Sequence, residues 1–137
     1  MKADMNFTVQ RDDESAPFFD AAAAGRLVLR RCPTCAMSFG PQQRRCTDGT
    51  LLEWFDAAGR GTLVSWIIDH SPGLHPALTG PDGTTSVAAM IELSEGPWLN
   101  AALVDIDPAM LRAGDEMTVR FVPLGDESET IPVFTRA

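Results

Sequence analysis

Short apolar segments of strand length, separated by turn residues, fill the second half of the chain. Residues 62–68 are rich in β-branched and aromatic side chains, and residues 117–122 alternate with the period of a strand. A polar loop at 71–84 and a helical turn at 107–111 interrupt the pattern. Three further segments bring the predicted strands after Gly61 to five, at 86–93, 98–104 and 131–135. Five short strands favour a closed barrel of the OB type over a sandwich, which usually has seven or more.

A different pattern near the amino terminus predicts one short helix. Ser15 is suited to cap it, Pro17 is tolerated in its first turn, and Gly25 is placed to end it. A helix of this length is marginal on its own, so Phe18 and Phe19 must dock on something larger. Ordinary core packing and contact with another chain are both open, and we predict Phe18 and Phe19 as a partner interface.

Three cysteines stand between the helix and the predicted barrel. Cys32-Pro-Thr-Cys35 is a knuckle that turns two thiolates to one side, and Cys46 follows after ten residues, the distance that a β-hairpin needs. Glycine at position 49 stands where a second knuckle would have a fourth cysteine. Zinc bound by Cys32, Cys35 and Cys46 with Asp48 as the fourth ligand, a metal-free ribbon, and a redox dithiol are the three interpretations.

The predicted fold class is therefore mainly β. Predicted strands at 27–31, 37–40 and 51–57 surround the cysteines and complete a rubredoxin-like zinc ribbon. We predict a flexible polar arm at 1–14, the helix and zinc-ribbon module at 15–58, and a five-stranded OB-fold domain at 59–137.

Charge is distributed unevenly over the 137 residues. The chain carries 11 basic and 19 acidic side chains, but residues 26–60 hold six basic and three acidic ones. Residues 61–137, which hold the predicted barrel strands, net −8 and have no tyrosine, which argues against the nucleic-acid binding common among OB folds. No apolar run approaches the roughly 20 residues that span a bilayer, and no hydrophobic signal core is present. We therefore expect a cytoplasmic protein with no membrane partner.

Several landmarks together resemble the DUF35 family of acyl-CoA-associated proteins. They extend from Phe18-Phe19-Asp20 through the cysteine knuckle and the Gly59-Arg60-Gly61 loop to Pro132-Val133-Phe134. The resemblance implies an amino-terminal helix, a zinc ribbon and a carboxy-terminal OB fold. It also implies a small accessory subunit beside a thiolase-like or hydratase-like partner that handles a coenzyme A thioester. Gly49 stands where the four-cysteine pattern has its last cysteine. This departure affects the predicted metal site but not the predicted fold.

Arg30, Arg31, Arg44 and Arg45 form two basic pairs on opposite arms of the predicted ribbon. Guanidinium groups bind phosphate oxygens in two places, so these four are the candidate residues for the phosphates of coenzyme A. A solvated face, or ion pairs with acidic groups, is the alternative.

No catalytic set is evident in the sequence. His70 and His75 are the only histidines, and both flank a loop. We predict a non-catalytic accessory subunit of a hetero-oligomeric thiolase-like or aldolase enzyme that acts on a bulky acyl-CoA in steroid side-chain or aromatic-acid degradation. A MaoC-like acyl-CoA hydratase partner is the runner-up, and a single-stranded nucleic-acid-binding protein is the alternative from another class.

Overall fold

The structure is a computed structural model that describes residues 9–71 and 75–137. Residues 1–8 of the predicted arm, and residues 72–74 of the predicted loop, lie outside the described residues. The fold is mainly β, with one α-helix, a three-stranded sheet and a closed five-stranded barrel of the OB type.

The barrel contains all five strands that the sequence predicts after Gly61. Its strands run in the order β4-β5-β6-β8-β7, and its only parallel pairing joins Leu103 of β6 to Phe134 of β8. The largest fully buried side chains of the barrel are Phe134, Leu63, Ile91, Met117 and Val133. The bounds of the strands are β4 Arg60–Asp69, β5 Ser86–Leu93, β6 Trp98–Leu103, β7 Glu116–Pro123 and β8 Thr130–Arg136.

The smaller sheet carries the cysteines. Its strands are β1 Val28–Arg31, β2 Ser38–Phe39 and β3 Glu53–Asp56, in the order β2-β1-β3 with both pairings antiparallel. Leu27 and Leu29 belong to the same buried cluster as the barrel core, because β1 packs its apolar face toward the barrel. The predicted boundary between the two parts at residue 58 stays a prediction.

Helix α1, Ala16–Ala23, lies against the chain's own β-structure. It contacts β8 and β1, and Phe18 packs on the barrel core. Ser15 stands at the amino-terminal cap position, but its hydroxyl accepts from the Asp12 backbone rather than capping the helix. Two short 3₁₀ turns, Pro76–Leu78 and Pro108–Met110, complete the elements, and the first of them was missed within the predicted loop.

Residues 9–14 are tied to the far end of the chain. The Val9 backbone N–H donates to Ser128 Oγ at 2.7 Å, and Arg11 forms a two-pronged pair with Glu129, with both N···O distances 2.9 Å. Arg11 also reaches Asp20 of α1 at 2.6 Å. No helix among the described residues is long and apolar enough to cross a membrane.

Candidate metal centre and ligand groove

The three cysteines converge at one end of the smaller sheet. The Sγ atoms of Cys32, Cys35 and Cys46 all lie within 4.8 Å of one another, and those of Cys35 and Cys46 are 3.6 Å apart. Cys32 and Cys46 are buried while Cys35 is exposed. The chain reverses between Cys32 and Cys35, where the Ala36 N–H donates to the Cys32 carbonyl, so both sulfurs come to one side.

This arrangement fits a metal ion such as zinc. Thiolates 2.3 Å from a tetrahedral zinc lie about 3.8 Å from one another, which is close to the Cys35–Cys46 separation. Three sulfurs also make a soft donor set of the kind that zinc accepts. Bound zinc would supply a structural crosslink here, and Cys32, Cys35 and Cys46 would hold it.

The surroundings of the thiols favour a charged sulfur at Cys32. The Thr34 hydroxyl, 3.2 Å from Cys32 Sγ, is the main cause that lowers the pKa of Cys32 to about 6. The Met37 backbone N–H lowers the pKa of Cys35, but hydrogen bonding to Cys32, burial and the Cys32 charge outweigh it, so that pKa is raised. The Cys32 thiol therefore ionises more readily near neutral pH than an ordinary cysteine.

Asp48 lies beside the cluster without belonging to it. Hydrogen bonding to the Thr50 side chain and then to the Thr50 backbone N–H lowers the pKa of Asp48. Asp48 Oδ1 accepts from the Thr50 backbone N–H at 2.9 Å, and its Oδ2 accepts from the Thr34 hydroxyl at 3.4 Å. Among the described residues, the group of mutually close ligand atoms consists of the three cysteines. A hydrogen bond with the Cys46 side chain also contributes to the lowered pKa of Asp48. Asp48 as a fourth ligand stays a prediction.

Two of the four predicted arginines meet at one carboxylate. Arg30 donates to one oxygen of Glu14 at 3.2 Å, and Arg44 forms an ion pair with the other oxygen at 3.0 Å. The Arg30 guanidinium also lies 3.9 Å above the centre of the Trp54 ring, and its Nε donates to the Pro41 carbonyl at 3.1 Å. With a side chain only 6% exposed, Arg30 is a nearly buried cation held in a fixed place.

The other two arginines have different partners. Arg31 follows Arg30 in β1 and therefore points to the opposite face of the sheet, where its guanidinium covers the Phe55 ring at 3.9 Å. Arg45 donates to the Gly49 carbonyl at 2.9 Å and so braces the turn after Cys46. The structure thus brings Arg30 and Arg44 together and directs Arg31 and Arg45 elsewhere.

A largely apolar groove of about 560 Å³ opens beside Arg30 and Arg44. Phe18 and Phe19, in edge-to-face contact with centres 5.4 Å apart, form part of its wall from α1. Both phenylalanines are half-buried on this chain, and their role at a partner interface stays a prediction. The groove also includes side chains that the sequence did not single out, among them Glu14, Leu78, Leu99, Ala101 and Ile131.

The two histidines occupy positions at the ends of secondary-structure elements. His75 Nδ1 accepts the Ala77 backbone N–H at 3.0 Å and so caps the first 3₁₀ turn, while His70 is exposed at the end of β4. The Thr79 hydroxyl donates to the His75 backbone carbonyl at 3.2 Å.

The fold and the site define a class of protein: an OB barrel that carries a helix and a cysteine ribbon, with a ligand-sized groove between them. A family model described as "ChsH2, C-terminal OB-fold domain" matches residues 54–122. A solved structure, "Ltp2-ChsH2(DUF35) aldolase", is similar with a TM-score of 0.77 at 31% identity, covering 92% of this chain and 96% of that one. The chain belongs to the DUF35 family.

Two curated relatives are subunits of acyl-CoA hydratases. The chain is 34% identical over 126 residues to a "Probable enoyl-CoA hydratase alpha subunit" of Thermomonospora curvata, which covers 90% of this chain. It is 27% identical over 116 residues to the "3-oxo-4,17-pregnadiene-20-carboxyl-CoA hydratase alpha subunit" of Mycobacterium tuberculosis, over 84% of this chain. The chain spans 38% and 36% of the lengths of these two relatives.

Proposed function

We propose that this chain is a non-catalytic subunit of an acyl-CoA-processing enzyme and that it helps to hold the coenzyme A thioester. The observation that carries the proposal is the groove, in which the fixed cation Arg30 and the more exposed Arg44 stand at one side of an apolar wall. Coenzyme A combines phosphates with a long, weakly polar arm. The arginines match its phosphates, and the apolar wall matches its arm or an acyl chain.

The partner in this proposal is a larger thiolase-like or aldolase chain. A solved relative is described as an aldolase that contains a DUF35 component, which supports this choice. A MaoC-like acyl-CoA hydratase partner is the second candidate, because two curated relatives are named as hydratase alpha subunits. In both cases the catalytic groups come from the partner, and a bulky acyl-CoA such as a steroid side-chain or aromatic-acid thioester is the substrate.

Coenzyme A binding is tested with Arg44, whose exposed side chain can be changed without opening the core. Arg44→Gln removes one of the two cations at the groove, and we expect the dissociation constant for coenzyme A to rise about three- to tenfold. The measurement is calorimetric titration of the purified chain.

Arg26→Gln is the matched control for this experiment. Arg26 is a similarly exposed arginine paired with Asp56, and it lies outside the groove lining. It removes the same unit of charge, so we expect less than a twofold change. Equal losses in both variants would show that only overall charge matters and would contradict a coenzyme A site at the groove.

A further inference from the structure

Within residues 9–71 and 75–137, the Arg30 side chain has three different partners, of which one is an ionised side chain. The Trp54 ring and the Pro41 carbonyl belong to the fixed framework of the ribbon. The third partner is Glu14, whose side chain is 50% exposed although it pairs with a cation that is 6% exposed. An external anion that approaches Arg30 from the groove therefore meets the Glu14 carboxylate first.

Glu14 occupies the position between the two cations. One of its oxygens accepts a hydrogen bond from Arg30 at 3.2 Å, and the other forms an ion pair with Arg44 at 3.0 Å. A phosphate that bridges the two guanidinium groups needs the same place, because only there would its oxygens lie within ion-pair distance of both. Two cations and one resident carboxylate leave a net charge of +1, which becomes +2 when Glu14 moves out.

The segment that carries Glu14 is anchored, so the carboxylate returns to the same place. Arg11 holds this segment to Glu129 and to Asp20, and Asp12 exchanges hydrogen bonds with Ser15 on the other side of Glu14. Rotation of the exposed Glu14 side chain is enough to free the two arginines while these anchors stay in place. Glu14 is therefore a local competitor with a high effective concentration.

We propose that Glu14 is the resident anion of the Arg30–Arg44 site and filters ligands by charge. A monoanion that displaces Glu14 replaces one carboxylate–arginine interaction by a similar one, so it gains little binding free energy. A phosphate group with two or more charges gains additional attraction to both arginines and displaces Glu14. The inference rests on the proposed function, because it assigns the ligand class of the same groove: multiply charged phosphates, not simple carboxylates.

The test compares Glu14→Gln with Asp13→Asn. Both variants remove one negative charge from the same segment, but Asp13 makes no ion pair with Arg30 or Arg44 in the part of the chain that the structure describes. Inorganic pyrophosphate and acetate are the probes. Binding is followed by the NMR signal of the Trp54 indole N–H, because the Trp54 ring contacts Arg30.

Glu14→Gln should bind pyrophosphate about three- to tenfold more tightly than the unchanged chain, and acetate binding should strengthen as well because both anions have to displace the Glu14 carboxylate. Asp13→Asn should change both affinities by less than twofold. An unfolding temperature close to that of the unchanged chain confirms that Glu14→Gln has kept the fold.

Equal effects of the two substitutions would overturn the proposal, and so would weaker binding by Glu14→Gln or no pyrophosphate binding by any of the three proteins. Coenzyme A is titrated in parallel to separate this inference from the proposed function. If Glu14→Gln strengthens pyrophosphate binding while coenzyme A binds to none of the proteins, the charge filter stands and the coenzyme A assignment fails.

Discussion

Gly61 lies where two strands of the barrel, β4 and β5, approach each other closely. A Cβ at this position would lie 2.5 Å from the Glu92 carbonyl oxygen and 2.7 Å from Ile91 Cγ2. The carbonyl belongs to the backbone of β5 and cannot move aside as a flexible side chain would. Gly61 is one of the residues on which the resemblance to the family rests. The close pairing of β4 with β5 explains why this position requires a glycine.

Gly61→Ala should lower the free energy of unfolding by about 1–3 kcal/mol, because the added methyl group forces β4 away from β5. Gly40→Ala is the control, since a Cβ there would meet only the Gln42 side chain at an ordinary 3.5 Å. Urea unfolding of the two variants gives the comparison. A loss of less than about 0.5 kcal/mol in Gly61→Ala would mean that β4 and β5 are not packed this closely.

The sequence predicts some site residues better than others at this scale. The cysteine cluster follows from local spacing, because a knuckle brings its two sulfurs together whatever the rest of the chain does. The strand period also contained the signal that Arg30 and Arg31 face opposite sides. Glu14 and Trp54 carry no local signal, since only the tertiary fold brings them to Arg30.

The ribbon is the element with the smallest core. Its buried cluster consists of Cys32, Cys46 and Leu52, with Phe39 packed against it. So few apolar contacts contribute little stability, whereas a metal crosslink between the two arms of the hairpin would contribute much more. Bound zinc would therefore stabilise the ribbon and not the barrel.

We expect about one zinc per chain by elemental analysis of protein purified without chelator. Removal of the metal should reduce hydrogen-exchange protection in the ribbon and leave the barrel strands protected. Cys35→Ser should weaken zinc binding at least tenfold. Protein without zinc and with three freely titrating thiols would instead show a ribbon held by packing alone.

Asp48→Asn separates the predicted fourth ligand from the turn that it stabilises. Asparagine keeps an oxygen to accept the Thr50 N–H but lacks the charge of a carboxylate ligand. Weaker zinc binding supports Asp48 as a ligand. Unchanged affinity would remove Asp48 from the site while leaving the three cysteines in it.

Element prediction was most successful where the hydrophobic period was clear. The strand predicted at 86–93 has these bounds in the structure, and β7 and β8 extend one residue at each end beyond their predictions. The 3₁₀ turn at Pro76–Leu78 was missed because three residues are too few for a periodic signal. The contacts of Arg11 with Glu129 join residues 118 positions apart, and no local pattern predicts such a pairing.

At the scale of the whole molecule, one groove joins parts that are far apart in the sequence. Helix α1, the ribbon, β6 and β8 each contribute to its lining, so the groove exists only when all of them pack together. The barrel supplies a stable frame, and the locally basic ribbon supplies the cations to a chain with a net charge of −8. A rigid barrel beside a basic ribbon is an arrangement that suits a subunit that binds and positions a ligand for another chain.

The central claim is that this chain works as a subunit of an acyl-CoA-processing enzyme, and reconstitution tests it most directly. The chain is co-expressed with candidate thiolase-like, aldolase and MaoC-like hydratase chains from its own organism, and the complexes are analysed by size-exclusion chromatography and assayed with bulky acyl-CoA thioesters. We predict one stable hetero-oligomer whose acyl-CoA activity exceeds that of either chain alone. A monomer that joins none of these partners and binds single-stranded nucleic acid at physiological salt would contradict the account.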